Sequence, residues 1–253
     1  MCVAMNTLGL LNAFLEEGSL ITADDQLFDA LEALSKRIGF RYFALTHHLD
    51  FGRMPVRGIR LHNYPADWVR YFDSCGLGLR DPVHRASQVT GTGFSWTSLA
   101  DYIALDRDDR DVLERARRAG IGEGYTVPVH VPGEYSGSCS FAMEPGARIS
   151  DDQACHALLL GLFAFETARR LHAGRCSRSR HAVMLTPKQR QCVIWLGRGK
   201  SEWEVAKILG LSPGTVNEHL KRARERCGVT KSSQLIVYAL LSGSISYDEL
   251  LTH

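Results

Sequence analysis

Apolar positions along the chain change period several times, and each change marks an element. Thr22, Asp24 and Asp25 are residue types that start helices, and Phe28, Leu31, Ala33, Leu34 and Ile38 then recur at helical spacing. Residues 41–47, Arg-Tyr-Phe-Ala-Leu-Thr-His, form a short aromatic, strand-like run, and residues 58–63 alternate as a second strand would. Helical patterns follow over 65–74 and over a long charged stretch, 98–119. Two more strands are expected at 125–131 and 138–143, joined by the turn Pro132-Gly133-Glu134. Ser150-Asp151-Asp152 caps a final helix, which is apolar nearly all round over 157–165 and so should be buried on several sides. Helices before, between and after a few antiparallel strands predict an α+β domain, an α-β-α sandwich around an antiparallel sheet.

The pattern lapses at 172–180, His-Ala-Gly-Arg-Cys-Ser-Arg-Ser-Arg, which is polar, basic and aperiodic. It reads as a linker and divides the chain into residues 1–171, a connection over 172–183, and residues 184–253. Beyond it the helix punctuation is dense. Thr186-Pro187-Lys188-Gln189 is a capping box with proline at the first helical position, and Ser201-Glu202-Trp203-Glu204 is a second box. Ser212-Pro213 starts a third helix shortly after Gly210, and Gly228 closes it. Two short helices joined by a glycine-containing turn of about three residues are a helix-turn-helix. On the third helix Val216, Leu220 and Ala223 share one face. Gly214, Glu218, Lys221 and Glu225 lie opposite, flanked by Asn217 and Arg222. Such a face can reach base edges and phosphates, although a solvated face of an ordinary bundle looks similar.

Charge separates these readings. The net charge of the 253-residue chain is only +2, but residues 1–171 carry 17 basic and 22 acidic side chains, a net of −5, whereas residues 172–253 carry 13 and 6, a net of +7. The basic end is the one suited to phosphates. The seven cysteines (2, 75, 139, 155, 176, 192 and 227) are scattered and never form CxxC, which excludes a disulfide framework or zinc site and fits a reducing cytoplasm. No apolar run approaches the roughly 18 residues of a membrane span, and residues 1–17 lack the basic and apolar regions of a signal peptide.

Leu185-Thr186-Pro187, Trp195, Gly199-Lys200, Glu204-Val205-Ala206, the run 208–212 and the run 215–220 resemble the DNA-binding domain of LuxR-type regulators over about 184–245. The resemblance implies a separate all-α four-helix domain whose third helix enters the major groove and whose last, about 233–241, serves dimerisation. It implies base contacts by Asn217 and Lys221, and phosphate contacts by Lys200, Thr215 and Arg222. Gln189 departs from the glutamate usual in the family, but its amide still completes the capping box.

For the first 171 residues a phosphorylated receiver is excluded, because Lys36 is the only lysine before position 188 and the chain lacks an α/β alternation. Tyr64-Pro65-Ala66-Asp67-Trp68, Asp81-Pro82, Trp96 and Gly124 instead resemble the acyl-homoserine-lactone pocket of quorum-sensing LuxR-type receptors. The resemblance implies a site of Tyr64, Trp68, Phe72, Asp81, Trp96 and Ser140. In it Asp81 accepts from the ligand amide, Trp68 donates to the lactone carbonyl, and Tyr64 and Ser140 reach the acyl carbonyl. Asp81-Pro82 equally reads as an N-cap with a first-turn proline, and Trp68 with Phe72 as core. Phe72 stands where these receptors usually carry tyrosine, and Val83 where some carry threonine. The expected acyl chain is therefore less oxidised near the amide, branched and aryl chains included.

No catalytic role is expected. His47 and His48 are adjacent on a strand and point to opposite faces, and residues 136–140 lack a nucleophile elbow. No metal or cofactor is expected beyond the lactone. The reading is a ligand-responsive cytoplasmic transcriptional regulator that binds a palindromic duplex DNA site as a homodimer, with RNA polymerase a further candidate partner. The alternative is a ligand-independent regulator whose first domain only dimerises.

Overall fold

The computed structural model describes Gly9 and residues 20–51, 58–131, 134–176 and 184–251. The expectations for the first residues, for Pro132-Gly133 and for 177–183 fall outside the described residues. The described elements divide into two compact units, one ending with the long helix that begins at Asp151 and the other beginning with the helix at Pro187.

The first unit is built on a five-stranded sheet in the order β2-β1-β5-β4-β3, antiparallel throughout. Its strands are β1 (Tyr42–His47), β2 (Arg60–His62), β3 (Phe94–Ser95), β4 (Gly124–Val129) and β5 (Gly137–Ala142). Helices α1 (Asp24–Arg37) and α6 (Asp151–Cys176) cover one face, and α2 (Ala66–Ser74), α3 (Pro82–Ser87), α4 (Leu99–Tyr102) and α5 (Arg107–Arg118) belong to the other side. Strand alternation decides which side chain meets which layer. Phe43, Leu45, Cys139 and Phe141 enter the core under α1 and α6, together with Leu27, Leu31, Leu160 and Phe165. Their neighbours in sequence, Ala44, Thr46 and Ser140, face the other way. This is the predicted α-β-α sandwich.

Two local expectations need correction, and one strand was not foreseen. The stretch 98–119 is two helices, because Ile103 is extended and Asp106 caps a new helix by accepting from the Asp109 N–H at 2.8 Å. Asp109 returns the bond to the Asp106 N–H at 3.1 Å. The two-residue strand β3 was too short to show periodicity. Residues 172–176, read as linker, continue α6 as helix, since nothing there breaks the backbone ladder: Gly174 only weakens a helix.

The second unit has helices α7 (Pro187–Gly197), α8 (Glu202–Leu209), α9 (Pro213–Cys227) and α10 (Ser232–Leu241) around Cys192, Val193, Val205, Val216, Leu220 and Leu235. A one-turn helix, α11 (Tyr247–Leu251), extends the expected four. It is a third capping box, with Ser246 N–H donating to Glu249 at 2.9 Å and Glu249 N–H to Ser246 Oγ at 3.3 Å. Arg190 also pairs with Glu249, and Arg198 Nε donates to the Glu249 carbonyl at 2.7 Å, tying the turn to α7.

Candidate functional site

Between the sheet face carrying Ala44, Thr46 and Ser140 and the helices opposite lies a cavity of about 80 Å³. Tyr64, Trp68, Phe72, Asp81, Trp96 and Ser140, from separate stretches of sequence, all line it.

Asp81 is 6% exposed and Oδ1 accepts from the backbone N–H groups of Val83 (2.9 Å) and His84 (3.0 Å), with Pro82 in the first turn of α3. It is thus an N-cap and a cavity residue at once, and neither capping bond uses Oδ2. Burial holds its carboxyl above the ordinary carboxylate range, against the opposing pull of His84 and the two N–H groups. Arg85 on α3 grips both oxygens of Asp109 at 2.8 and 2.9 Å, which fastens the short helix to α5 and so fixes where Asp81 stands.

Trp68 is buried on α2, with its ring 6.1 Å from Phe72 one turn on. Among the described residues neither its indole N–H nor the Tyr64 hydroxyl has a hydrogen-bond partner, and burial raises the Tyr64 phenol far above its ordinary pKa. Trp96 differs: its Nε1–H donates to Thr126 Oγ1 at 2.8 Å, and Thr126 is hydrogen-bonded to Ser140 Oγ at 2.8 Å. With one Thr126 lone pair taken by the indole, its hydroxyl proton can go to Ser140, which leaves the Ser140 proton for the cavity. Thr126, fully buried, was missed by sequence reasoning although the strand alternation that exposes Ser140 applies to it as well. Gly124 is required by the same indole, since a Cβ there would lie 2.4 Å from Trp96 Cε2.

Sequence reasoning also missed five polar wall residues: Thr46, His47, Arg60, His62 and His84. His84 Nδ1 pairs with the Gly78 carbonyl at 2.9 Å, and its ring stacks on His48 at 4.1 Å. His48 Nε2 pairs with Ser138 Oγ at 2.9 Å. Burial, reinforced by His84, His130 and His47, lowers the His48 pKa to about 2, so this imidazole is neutral. His47 Nδ1 accepts from the Ile59 N–H at 3.1 Å, a structural bond that joins β1 to the start of β2.

In the second unit, α8 and α9 are separated by Gly210, Leu211 and Ser212, with Gly210 left-handed at φ 66°. Ser212 caps α9 by accepting from the Thr215 N–H at 3.1 Å. Val216, Leu220, Ala223 and Cys227 are buried, and Thr215, Asn217, Glu218, Lys221 and Arg222 are exposed. Asn217 Nδ2 donates to Glu202 at 3.2 Å and Arg222 Nε to Glu218 at 2.7 Å, while Lys200 lies 3.9 Å from Glu204. Exposed pairs of this kind contribute about 0–1 kcal/mol, so phosphate or base can displace them. Gln189 is buried and forms its capping box with Thr186 at 3.0 and 3.3 Å.

Comparison with known proteins bears on both units. Residues 23–171 match the family of autoinducer binding domains, and residues 183–239 match the bacterial regulatory proteins of the luxR family. The transcriptional activator VanR of Vibrio anguillarum is 28% identical over 236 residues, 92% of this chain and 96% of its own. The quorum-sensing-dependent regulator RpaR of Rhodopseudomonas palustris is 30% identical over 190 residues, 73% of this chain and 74% of its own. Among solved structures, Escherichia coli SdiA shares the fold with a TM-score of 0.65 at 22% identity, covering 95% of this chain and 99% of that one. No described helix is long and apolar enough to cross a membrane. A helix-turn-helix with a polar, charged outer face and a cavity-bearing α-β-α unit are thus parts of one architecture, and the chain belongs to the LuxR family, as a transcriptional regulator with an autoinducer-binding domain and a DNA-binding domain rather than an enzyme.

Proposed function

We propose that the ligand is an N-acyl-homoserine lactone and that its binding controls recognition of a palindromic DNA site by a homodimer. The observation that carries this reading is one cavity lined by a buried carboxyl group, by an indole and a phenol that have no side-chain partner among the described residues, and by a serine hydroxyl. Asp81 Oδ2 accepts from the ligand amide N–H and Trp68 donates to the lactone carbonyl. Tyr64 and Ser140 donate to the acyl carbonyl. Phe72 and Trp96 supply apolar wall, Trp96 also orienting Thr126. Phe72 and Val83 offer no hydroxyl of their own to a 3-oxo oxygen, so a chain without a 3-oxo group is preferred.

In this reading residues 1–171 bind ligand and residues 184–253 bind DNA, with 172–183 between them. Asn217 and Lys221 read base edges. Lys200, Thr215 and Arg222 hold phosphates. Val237 and Leu241, exposed one turn apart on α10, belong to the dimer contact, which spaces half-sites about 10 bp apart or a multiple of that. Ligand shifts the population towards the DNA-competent dimer, which acts in the cytoplasm with RNA polymerase as its further partner.

Native mass spectrometry of the full chain, expressed with and without a panel of acyl-homoserine lactones, tests the proposal. One lactone retained per protomer, with tighter binding of the palindrome, is expected. A chain that retains none and binds DNA equally well without lactone would instead be a ligand-independent dimeric regulator.

A further inference from the structure

The cavity wall on β2 is polar in a way that the lactone reading does not use. Arg60 and His62 alternate with Leu61, so both face the cavity while Leu61 packs on the core. Arg60 is already engaged: Nη2 is 2.7 Å from Asp73 Oδ1, and its guanidinium lies 5.2 Å from the Phe51 ring centre. His62 is not. Its ring lies 6.2 Å from that of Tyr64, and Nδ1 is buried with no hydrogen-bond partner. A buried nitrogen left in that state is destabilising, so it is a place where a ligand atom gains affinity.

The sheet register locates this nitrogen relative to the acyl carbonyl. His62 pairs with Ala44 on β1, and Ala44 pairs with Ser140 on β5. With strands about 4.8 Å apart, His62 stands roughly 10 Å across the sheet from Ser140. We propose that His62 Nδ1 recognises a hydroxyl on the distal part of the acyl group, so that the ligand class is a hydroxylated acyl or aryl homoserine lactone whose oxygen lies well beyond the third carbon. Burial and the nearby Arg60 charge hold the imidazole below its ordinary pKa and hence neutral. A neutral imidazole nitrogen is a donor or an acceptor according to tautomer, and a hydroxyl can meet either, which a carbonyl cannot. Because Asp73 already neutralises Arg60, a neutral oxygen fits this corner better than a carboxylate.

This inference rests on the lactone reading and is tested apart from it. Titration calorimetry of the full-length chain compares two homoserine lactones of equal acyl length, one with a terminal hydroxyl and one without. The wild type should prefer the hydroxylated lactone about tenfold. His62→Phe should abolish that preference while still binding the plain lactone. His62→Asn, which keeps a polar atom near the Nδ1 position, should restore part of it. Equal affinities in the wild type, or a preference that survives His62→Phe, would overturn the role of His62. Binding of neither lactone would overturn the lactone reading itself, and this inference with it.

Discussion

Asp81 holds two roles that a single substitution can separate. Asp81→Asn keeps a side-chain oxygen where Oδ1 accepts from Val83 and His84, and asparagine caps helices about as well as aspartate. The cap therefore survives, whereas Asp81→Ala would lose about 0.5–2 kcal/mol with it. Stability should even rise slightly. Burial raises the Asp81 pKa in the folded protein, so ionising this carboxyl costs stability, and the cost is incurred as pH rises from the unfolded value through the raised one. Asparagine never ionises and removes it. Ligand binding should move the other way. A hydrogen bond to a charged acceptor is worth about 1.5–3 kcal/mol, so lactone affinity should fall roughly 10- to 150-fold. Thermal melting without ligand and calorimetry with a short-chain lactone read the two effects separately. Unchanged lactone affinity in Asp81→Asn would refute the assignment of the carboxylate to the amide, and a large drop in melting temperature would refute the argument about the cap.

Further expectations follow from the same geometry. Asn217→Ala should relax preference at one base pair by about 1–3 kcal/mol, whereas Lys200→Ala should weaken all sequences alike and lower the salt slope by about one; gel-shift titrations across base substitutions and salt concentrations distinguish them. Gly124→Ala drives a methyl against the Trp96 indole and should destabilise the first unit by about 1–3 kcal/mol in chemical denaturation. His48 is neutral in the folded protein down to about pH 2 but protonates near 6.5 when unfolded. Stability should therefore fall as pH drops below about 6.5, by about 1.4 kcal/mol per unit from this group, and denaturation curves of His48→Gln should show a shallower acid slope.

Sequence and structure agree most closely where a local rule is complete within a few residues. The boxes at Thr186–Gln189 and Ser201–Glu204 and the left-handed Gly210 place α7, α8 and α9 because each cap needs only neighbours. Two equivalent signals went unread: Asp106–Asp109, which divides 98–119, and Ser246–Glu249, which starts α11. The α9 face needed only the helical period, which puts Val216 and Leu220 inside and Asn217 and Lys221 outside.

The cavity was less legible because its walls are set by register between distant segments. Nothing within residues 58–63 tells which of Arg60, Leu61 and His62 faces the helices. Pairing with β1 does, reinforced by the Phe43 N–H donating to Asn63 Oδ1 at 2.7 Å. Phe72 and Val83 line the helix side as apolar wall, but Asp81 and His84 interrupt it and Thr46, Arg60 and His62 make the opposite wall polar. The two readings of Asp81 were not rivals, since a carboxylate has two oxygens and the cap uses one.

The most direct measurement is a crystal structure of the full chain with a short-chain acyl-homoserine lactone. The ligand amide nitrogen should lie about 2.7–3.2 Å from Asp81 Oδ2, with the lactone carbonyl at hydrogen-bond distance from Trp68 Nε1. A lactone bound elsewhere, or one in the cavity with its amide turned from Asp81, would contradict the account.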